Sequence, residues 1–230
     1  MQQQRAARRE DDPQEPRPRR AYHAPRRAQA ATETRQAILD AAARLFLDEG
    51  YANVTVAAIA REAGIAVPTV YASTGGKGAI LSTLMEQGMQ SSASGETLAS
   101  VRATGAPRAV LAATAHGTRV DNERHHRLVR VMANAAHTDE SAATTLAHTD
   151  EAYRDALATV TARLRELNAL RPDLTDARAT DILWFYLGHR SWHELTTERG
   201  WPWDTAEGWL TEQLTTALLR PLDPQSGADS

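Results

Sequence analysis

The chain has 230 residues, 42% of them hydrophobic and 24% charged, and a formal net charge of −3. This composition is typical of a soluble globular protein rather than a disordered or fibrous one. Cysteine is absent, which excludes disulfides and thiolate metal sites. No apolar run approaches the roughly 20 residues that cross a bilayer, and the start lacks the apolar core of a signal peptide. We therefore expect a cytoplasmic protein with no membrane partner.

Residues 1–30 differ in composition from the rest of the chain. They hold eight arginines and four acidic residues, so they carry +4 and leave −7 for the other 200 residues. They also contain four of the ten prolines and show no apolar periodicity. The segment is predicted to be a disordered, arginine-rich arm. Such an arm could approach a polyanion, or it could be a solvated leader without a partner.

Residues 31–76 are predicted to form three helices. Gly50 follows the first helix as a stop signal, and Thr55 is placed to cap the second, with Val54 and Ile59 forming a hydrophobic staple. Gly64 is suited to the left-handed conformation that ends this second helix. The apolar face of the first helix follows spacings of three and four and consists of Ile38, Leu39, Ala42, Leu45 and Phe46.

The third helix begins only two residues after Gly64, and Pro68 suits its first turn. Two short helices joined by a tight, glycine-containing turn form a helix-turn-helix. Residues 31–76 are therefore predicted to be a helix-turn-helix domain with a supporting helix in front.

Beyond residue 76 every strong signal is helical, so the predicted fold class is all-α. Residues 77–91 form a connecting helix, 92–222 a second helical domain and 223–230 a disordered tail. The segment SSASGETLAS is predicted to be a junction. Five further helices are expected. One begins at Pro107, a separate one includes Leu128 to Met132, and a long amphipathic one runs from Leu146 to Leu167. The fourth extends from a Thr175 cap through Trp184 and His193 to Gly200, and the last begins at a capping box formed by Asp204 and Glu207.

The segment TRQAILDAAARLFLDEGYANVTVAAIAREAGIAVPTVYASTGGKGAIL resembles the N-terminal domain of the TetR family of bacterial transcription regulators. The resemblance covers about residues 33–84, and the C-terminal region is similar only to the general helical plan of the family. Departures from the family pattern are Thr74 in place of an aromatic residue, Ala66 in place of a small polar cap, and Gly75-Gly76 in place of proline-serine. The positions that carry the resemblance are Phe46, Gly50-Tyr51, Thr55, Ile59-Ala60, Ala63-Gly64, Thr69, Tyr71 and Lys77.

The resemblance implies a sequence-specific, DNA-binding transcription regulator and not an enzyme, and no motif such as GxSxG fixes a catalytic set. It implies a repressor that is released from its operator by a small-molecule effector. An activator, and a DNA-binding factor without any effector, are the alternatives. No cofactor is expected. His189 and His193 are four residues apart on one helix, but no third ligand is placed by spacing, so we expect no metal site.

The third helix has no charged residue before Lys77, yet base recognition does not require charge. The hydroxyl and methyl of Thr69 can contact base edges, and Val67 and Pro68 offer apolar contact. Tyr71 and Ser73 can hydrogen-bond phosphates, which positions the helix. A surface helix without a ligand is the alternative. The complete set of predicted DNA contacts is Arg26, Arg27, Arg35, Thr55, Val67, Pro68, Thr69, Tyr71, Ser73 and Lys77.

Specific binding of double-stranded DNA through one helix-turn-helix per chain usually requires two copies related by symmetry, so we expect a homodimer. The tryptophan-rich last two helices are the candidate interface, and core packing is the alternative for the same residues. The predicted interface residues are Trp192, Trp209, Leu210 and Leu214. An apolar or aromatic effector is expected to contact His116, Met132, Tyr153, Trp184 and Tyr186, each of which could equally be core.

Overall fold

The computed structural model describes residues 24–221, and within this range the regular structure is helical apart from one isolated bridge between Leu170 and Leu219. The all-α prediction is therefore confirmed for the described residues. The helices are α1 (Ala24–Glu49), α2 (Val56–Ala63), α3 (Val67–Thr74), α4 (Lys77–Gln90), α5 (Ser94–Ala103), α6 (Pro107–Ala135), α7 (Glu140–Glu166), α8 (Asp176–Leu187), α9 (His189–His193) and α10 (Trp203–Leu218), with a 3₁₀ turn at Tyr51–Asn53 and a π-helical turn at Glu194–Glu198.

Helix α1 begins at Ala24, so residues 24–30 are helical where an arm was predicted. Pro25 is tolerated in a first turn, and the alanines, arginines and glutamine that follow are strong helix formers. Residues 26–33 are all exposed, which is why no apolar periodicity marked them. The remainder of the predicted arm, residues 1–23, and the predicted tail at 223–230 lie outside the described residues.

The local signals around α2 act as predicted. The Thr55 hydroxyl accepts a hydrogen bond from the Ala58 amide at 3.1 Å. Gly64 adopts φ 67°, and the following amide of Ile65 donates back to the Ala60 carbonyl at 2.9 Å. This left-handed cap ends α2 and turns the chain into α3.

The first hydrophobic core joins the helix-turn-helix to the rest of the chain. Phe46, Ile59 and Ile80 are fully buried in it, and so are Met132 of α6 and Ala142 of α7. The N-terminal helices therefore share one core with the second half of the chain. A second core lies among α5, α6, α7, α8, α9 and α10 and contains Leu111, Leu164, Leu183, Trp192 and Leu214.

Helix α6 is one continuous helix of 29 residues where two were predicted, and α5 occupies the predicted junction. The polar central stretch of α6 contains no proline, so nothing interrupts the backbone hydrogen bonds of this helix. Gly117 lies in the middle of α6 because α5 packs directly on it: a Cβ there would lie 2.0 Å from Thr97 Oγ1 and 2.8 Å from Thr97 Cβ.

The segment after α8 also differs from the prediction of one helix to Gly200. Gly188 has an extended backbone (ψ 156°) that ends α8, and α9 and the π-helical turn then lead to Gly200 at φ 68°. The Thr175 cap is present, since its hydroxyl accepts from the Arg178 amide at 3.3 Å. Asp204 and Glu207 do not form a capping box, because α10 begins at Trp203 and Asp204 lies inside its first turn. Both carboxylates bind Arg119 of α6.

The close approach at Gly117 leads to a stability prediction. Gly117→Ala should lower the free energy of unfolding by about 1–3 kcal/mol, because α5 and α6 must separate to admit the methyl group. Gly208→Ala is the control, since a Cβ at that exposed helical position meets nothing within 4 Å. It should raise stability by about 0.5–1 kcal/mol. Urea unfolding of both variants checks this, and equal effects at the two sites would contradict the described packing.

Candidate nucleic-acid interface and effector cavity

One face of α3 is exposed and the opposite face anchors the helix. Val70 is fully buried, and the buried Thr74 hydroxyl donates to the Val70 carbonyl at 2.8 Å. Thr69 is exposed, and Tyr71 is 54% exposed. Val67 and Pro68 complete the outward surface. Helix α3 therefore presents hydroxyl, methyl and phenol groups to solvent, which are the groups that the DNA prediction requires.

The two glycines after α3 fit the exit of this helix. Gly75 (φ 81°) and Gly76 (φ 105°) both occupy the left-handed side of backbone space, which side chains rarely adopt. A Cβ on Gly76 would also lie 3.3 Å from the Tyr71 ring. The ring of Tyr71 is thus held against the backbone that leads into α4.

Two of the basic residues predicted to contact DNA, Arg35 and Lys77, instead make contacts within the protein. Arg35 donates to the Ser73 carbonyl at 2.5 Å and to the Thr83 hydroxyl at 3.3 Å. Lys77 donates to the Tyr51 carbonyl at 2.9 Å and lies 4.1 Å from the centre of its ring. The Ser73 carbonyl is in the last turn of α3, where carbonyls lack helical partners and attract cations. Both side chains therefore fix the helices in place.

The other predicted DNA-contacting residues are divided between two places. Thr55 is exposed at the start of α2, and Ser73 is half-buried at the end of α3. Arg26 and Arg27 are exposed near the start of α1. The structure therefore brings the α2 and α3 residues together at one surface, while the two arginines lie on a separate helix.

Tyr51 connects the N-terminal helices to the second domain. Its hydroxyl donates to Asp139, which also caps α7 by accepting from the Ser141 and Ala142 amides at 3.0 and 3.2 Å. Burial is the main cause that raises the pKa of the Tyr51 phenol, and the Asp139 carboxylate raises it further. The Tyr51 hydrogen bond is the main cause that lowers the pKa of Asp139. Asp139 escaped sequence analysis, although an aspartate directly before a helix is itself a cap signal.

This contact predicts a pH dependence of stability. The pKa of Asp139 is lower in the folded than in the unfolded chain. The ionised carboxylate therefore stabilises the fold above the unfolded pKa of about 3.9, and this stabilisation is lost as pH falls through the lower folded pKa. Tyr51→Phe should therefore lower the free energy of unfolding by about 1.5–3 kcal/mol at pH 6 and by less at pH 3. Urea unfolding at both pH values tests this.

Tyr153→Phe is the matched control, because that hydroxyl donates to the uncharged Leu187 carbonyl at 2.8 Å. The loss of unfolding free energy caused by Tyr153→Phe should be the same at pH 6 and at pH 3. A Tyr51→Phe cost that is equally independent of pH would contradict the assigned role of Asp139.

A cavity of about 170 Å³ lies between α4, α6, α7 and α9. The apolar part of its wall is contributed mainly by Met85, Met89, Leu128, Val129, Ala152 and Ala156. The polar part includes Thr118, Asp121, Asn122, His125, His126, Tyr153 and His189. A cavity with an apolar wall and a few convergent polar groups is the usual form of a small-molecule site.

Of the five predicted effector contacts, Tyr153 lines this cavity. Trp184 packs behind it with its ring 5.3 Å from that of Tyr153. Met132 is fully buried in the first core, and His116 is exposed and faces Glu207 at 3.3 Å. Tyr186 packs near Trp209 at the surface, with ring centres 6.5 Å apart.

The polar side chains on α6 were the missed signal for the cavity. Thr118, Asp121, Asn122 and His125 recur at spacings of three and four on a face of α6 that turns inward. Polar residues at inward positions of an amphipathic helix indicate a solvated or ligand-binding interior.

Three of the four predicted interface residues are internal. Trp192, Leu210 and Leu214 are fully buried in the second core of a single chain. Trp209 is 38% exposed, and Phe185, which the sequence analysis did not name, is 69% exposed. The exposed apolar surface of α8 and α10 therefore consists of Phe185, Trp209 and the half-buried Tyr186, which we call the aromatic patch.

The histidines of α9 make pairwise contacts. His189 lies 3.4 Å from Asp150 and His193 lies 3.1 Å from Glu198. Across residues 24–221 no group of three or more potential metal ligands is assembled. In the same part of the chain, no helix has the length and apolar character needed to span a membrane.

Comparison with known protein families confirms the resemblance seen in the sequence. Residues 38–84 match the family described as bacterial regulatory proteins, tetR family. This segment contains most of α1, all of α2 and α3, and half of α4. The match therefore covers the helix-turn-helix part of the chain and agrees with the resemblance found in the sequence. No curated protein matches the chain at the level of sequence.

Solved structures with the same fold share little sequence with the chain. NalD, the secondary repressor of the MexAB-OprM multidrug efflux pump of Pseudomonas aeruginosa, is 19% identical, with a TM-score of 0.65 over 84% of this chain and 100% of NalD. SmeT in complex with triclosan is 17% identical, with a TM-score of 0.63 over 86% and 98%. FadR of Bacillus subtilis in complex with stearoyl-CoA is 17% identical, with a TM-score of 0.65 over 79% and 98%.

Proposed function

We propose that this chain, whose residues 38–84 form a tetR-family domain, is a transcriptional repressor that binds operator DNA as a homodimer and releases it when a small molecule occupies the cavity. The observation that carries the proposal is the outward, uncharged face of α3, held by Val70 and Thr74 on the opposite side. An activator is the alternative for the sign of regulation.

Helix α3 enters the major groove in this proposal. Thr69 contacts base edges, Val67 and Pro68 contact thymine methyl groups, and Tyr71 hydrogen-bonds a phosphate. Thr55 approaches the backbone at the start of α2, where free amides favour a phosphate. Arg35 and Lys77 support this surface from within and are not assigned to DNA.

The aromatic patch is the proposed dimer surface. Aromatic residues are enriched at protein interfaces, and Phe185 and Trp209 are exposed in the single chain. A two-fold axis at α8 and α10 would present two copies of α3 to successive major grooves. The proposed interface thus keeps Trp209 from the sequence prediction, adds Phe185 and Tyr186, and omits the buried Trp192, Leu210 and Leu214.

The cavity is the proposed effector site because it adjoins α4. Met85, Gly88 and Met89 of α4 line it, and the other end of α4 begins directly after the α3 exit. A ligand that favours one position of α4 shifts the population of dimers away from the conformation in which the distance between the two α3 helices fits DNA. The descriptions of NalD as a repressor and of SmeT and FadR as ligand complexes support this class of mechanism.

Selection from a pool of randomised duplexes at low salt tests the DNA-binding part of the proposal. We expect enrichment of an inverted repeat whose half-sites are separated by one helical turn or more. Failure of the purified dimer to enrich any sequence would contradict the proposed function.

Residues 1–23 are predicted to supply part of the attraction to DNA. Deleting them removes Arg5, Arg8, Arg9, Arg17, Arg19 and Arg20. Operator affinity should fall, and the slope of log K against log salt should become shallower by about 0.9 for each phosphate that the arm had neutralised. Fluorescence anisotropy between 50 and 200 mM salt (roughly the range in which such slopes are read) measures it. An unchanged slope would reject the role of the arm.

A further inference from the structure

Asp121 is the carboxylate in the wall of the cavity. Among the described residues that line the cavity there is no other acidic side chain, and there is no arginine or lysine. The remaining wall is made of methionine, leucine, valine, alanine and glycine together with uncharged hydrogen-bonding groups and histidines. A ligand in this cavity therefore meets a single carboxylate in a wall that is mostly apolar.

The Asp121 carboxylate holds the junction between α4 and α5. It accepts from the Ser92 hydroxyl at 2.6 Å and from the Ala93 amide at 2.7 Å. One turn further along α6, the Arg124 guanidinium donates to the Ser91 carbonyl at 2.9 Å. These contacts clasp the C-terminal end of α4 onto α6, next to the place where Gly88 and Met89 reach the cavity.

The Asp121 carboxylate lies close enough to two other lining side chains, Tyr153 and His125, to influence their titration. It adds to the effect of burial in raising the pKa of the Tyr153 phenol. Burial is the main cause that lowers the pKa of His125, despite the opposing influence of Asp121. His125 is therefore mostly neutral at pH 7 and does not cancel the carboxylate.

The volume of the cavity limits the size of the ligand. At about 170 Å³, it is close to the engineered apolar cavity of about 150 Å³ that holds one benzene molecule. The matching ligand therefore has an apolar body of about one ring.

We infer that the effector is a small amphipathic organic cation whose protonated nitrogen binds the Asp121 carboxylate while its apolar body contacts Met85, Met89 and Leu128. This inference rests on the proposed function of the cavity. The cation competes with Ser92 and Ala93 for the same carboxylate oxygens. Its binding therefore loosens the α4–α5 junction and allows α4 to move, which links ligand recognition to the release of DNA.

The experiment uses three probes of nearly equal size and different charge: 2-phenylethylammonium, 2-phenylethanol and 3-phenylpropionate. Calorimetry on the full chain at pH 7 should show the cation binding about 10- to 100-fold more tightly than the other two, the range expected for a hydrogen bond to a charged group. Equal binding of all three probes, or no binding of the cation, would overturn the inference.

Variants at three positions separate a direct contact from general damage to the fold. Asp121→Asn should lose the preference for the cation. Ser92→Ala keeps the charge and removes one competing donor, so the cation should bind several-fold more tightly. Asp155→Asn, which changes an exposed carboxylate on α7 outside the cavity, should leave all three affinities unchanged. Weaker cation binding in Ser92→Ala, or an unchanged preference in Asp121→Asn, would contradict the inference.

Operator binding by the unliganded protein distinguishes the failure of this inference from the failure of the proposed function. If the protein binds its operator, but the cation neither binds the protein nor releases the operator from it, the inference is wrong and DNA binding stands. If the protein binds no duplex at all, the proposed function fails whatever the result with the probes.

Discussion

Replacing Phe46 with alanine should lower the free energy of unfolding by about 3–5 kcal/mol. Phe46 is fully buried in the first core, and its ring lies 5.2 Å from that of Tyr51. Removing it leaves a cavity between α1 and the 3₁₀ turn that neighbouring side chains cannot fill. Because Met132 and Ala142 share this core, the destabilisation should affect the whole chain and not the N-terminal helices alone.

Urea unfolding followed both by circular dichroism and by tryptophan fluorescence checks this prediction. All five tryptophans lie at residues 184–209, so fluorescence reports the second domain while circular dichroism reports all helices. We expect one transition, shifted equally for both signals. Val67→Ala, at an exposed position of α3, should change stability by less than about 0.5 kcal/mol. A Phe46→Ala protein whose fluorescence transition stays in place would contradict the shared core.

Replacing Thr69 with glutamate should weaken operator binding by more than about 100-fold. The substitution removes a group proposed to contact base edges and places a negative charge against the DNA, and like-charge contacts at an interface cost several kcal/mol. Thr69 is exposed, so the fold should be unaffected. Fluorescence anisotropy with a labelled operator at fixed salt measures the change.

Thr197→Glu is the matched control, because it introduces the same charge at an exposed threonine of the segment after α9, which packs on the second core. Its effect on operator affinity should be less than about threefold, since exposed charges further apart than a Debye length are largely screened. Equal weakening in the two variants would indicate a general effect of net charge and would remove α3 from the interface.

The helix-turn-helix could be predicted from sequence because its signals are local. The Thr55 cap acts on an amide three residues away, and Gly64 ends α2 through its own backbone conformation. The roles of Arg35 and Lys77 could not be predicted in this way. Their acceptors, the carbonyls of Ser73 and Tyr51, are 38 and 26 residues distant in the chain, and only the folded structure brings them together.

The second domain was predicted less well because its features depend on helix packing. A tryptophan is equally suited to a core and to an interface, so Trp192 and Trp209 could not be distinguished by residue type. The close packing of α5 on Gly117 joins residues of two different helices, so no local sequence signal indicates that contact. The cavity likewise arises where four helices meet, although the polar residues on the inward face of α6 offered a sign of it.

Operator binding by α3 is tested most directly by footprinting of the purified protein on the DNA upstream of its own gene at low salt. We expect protection of two half-sites about one helical turn or more apart, and this protection should disappear when Thr69→Glu is used at the same concentration. Absence of protection by the unaltered protein, or the same footprint from Thr69→Glu, would contradict the claim that the outward face of α3 binds an operator.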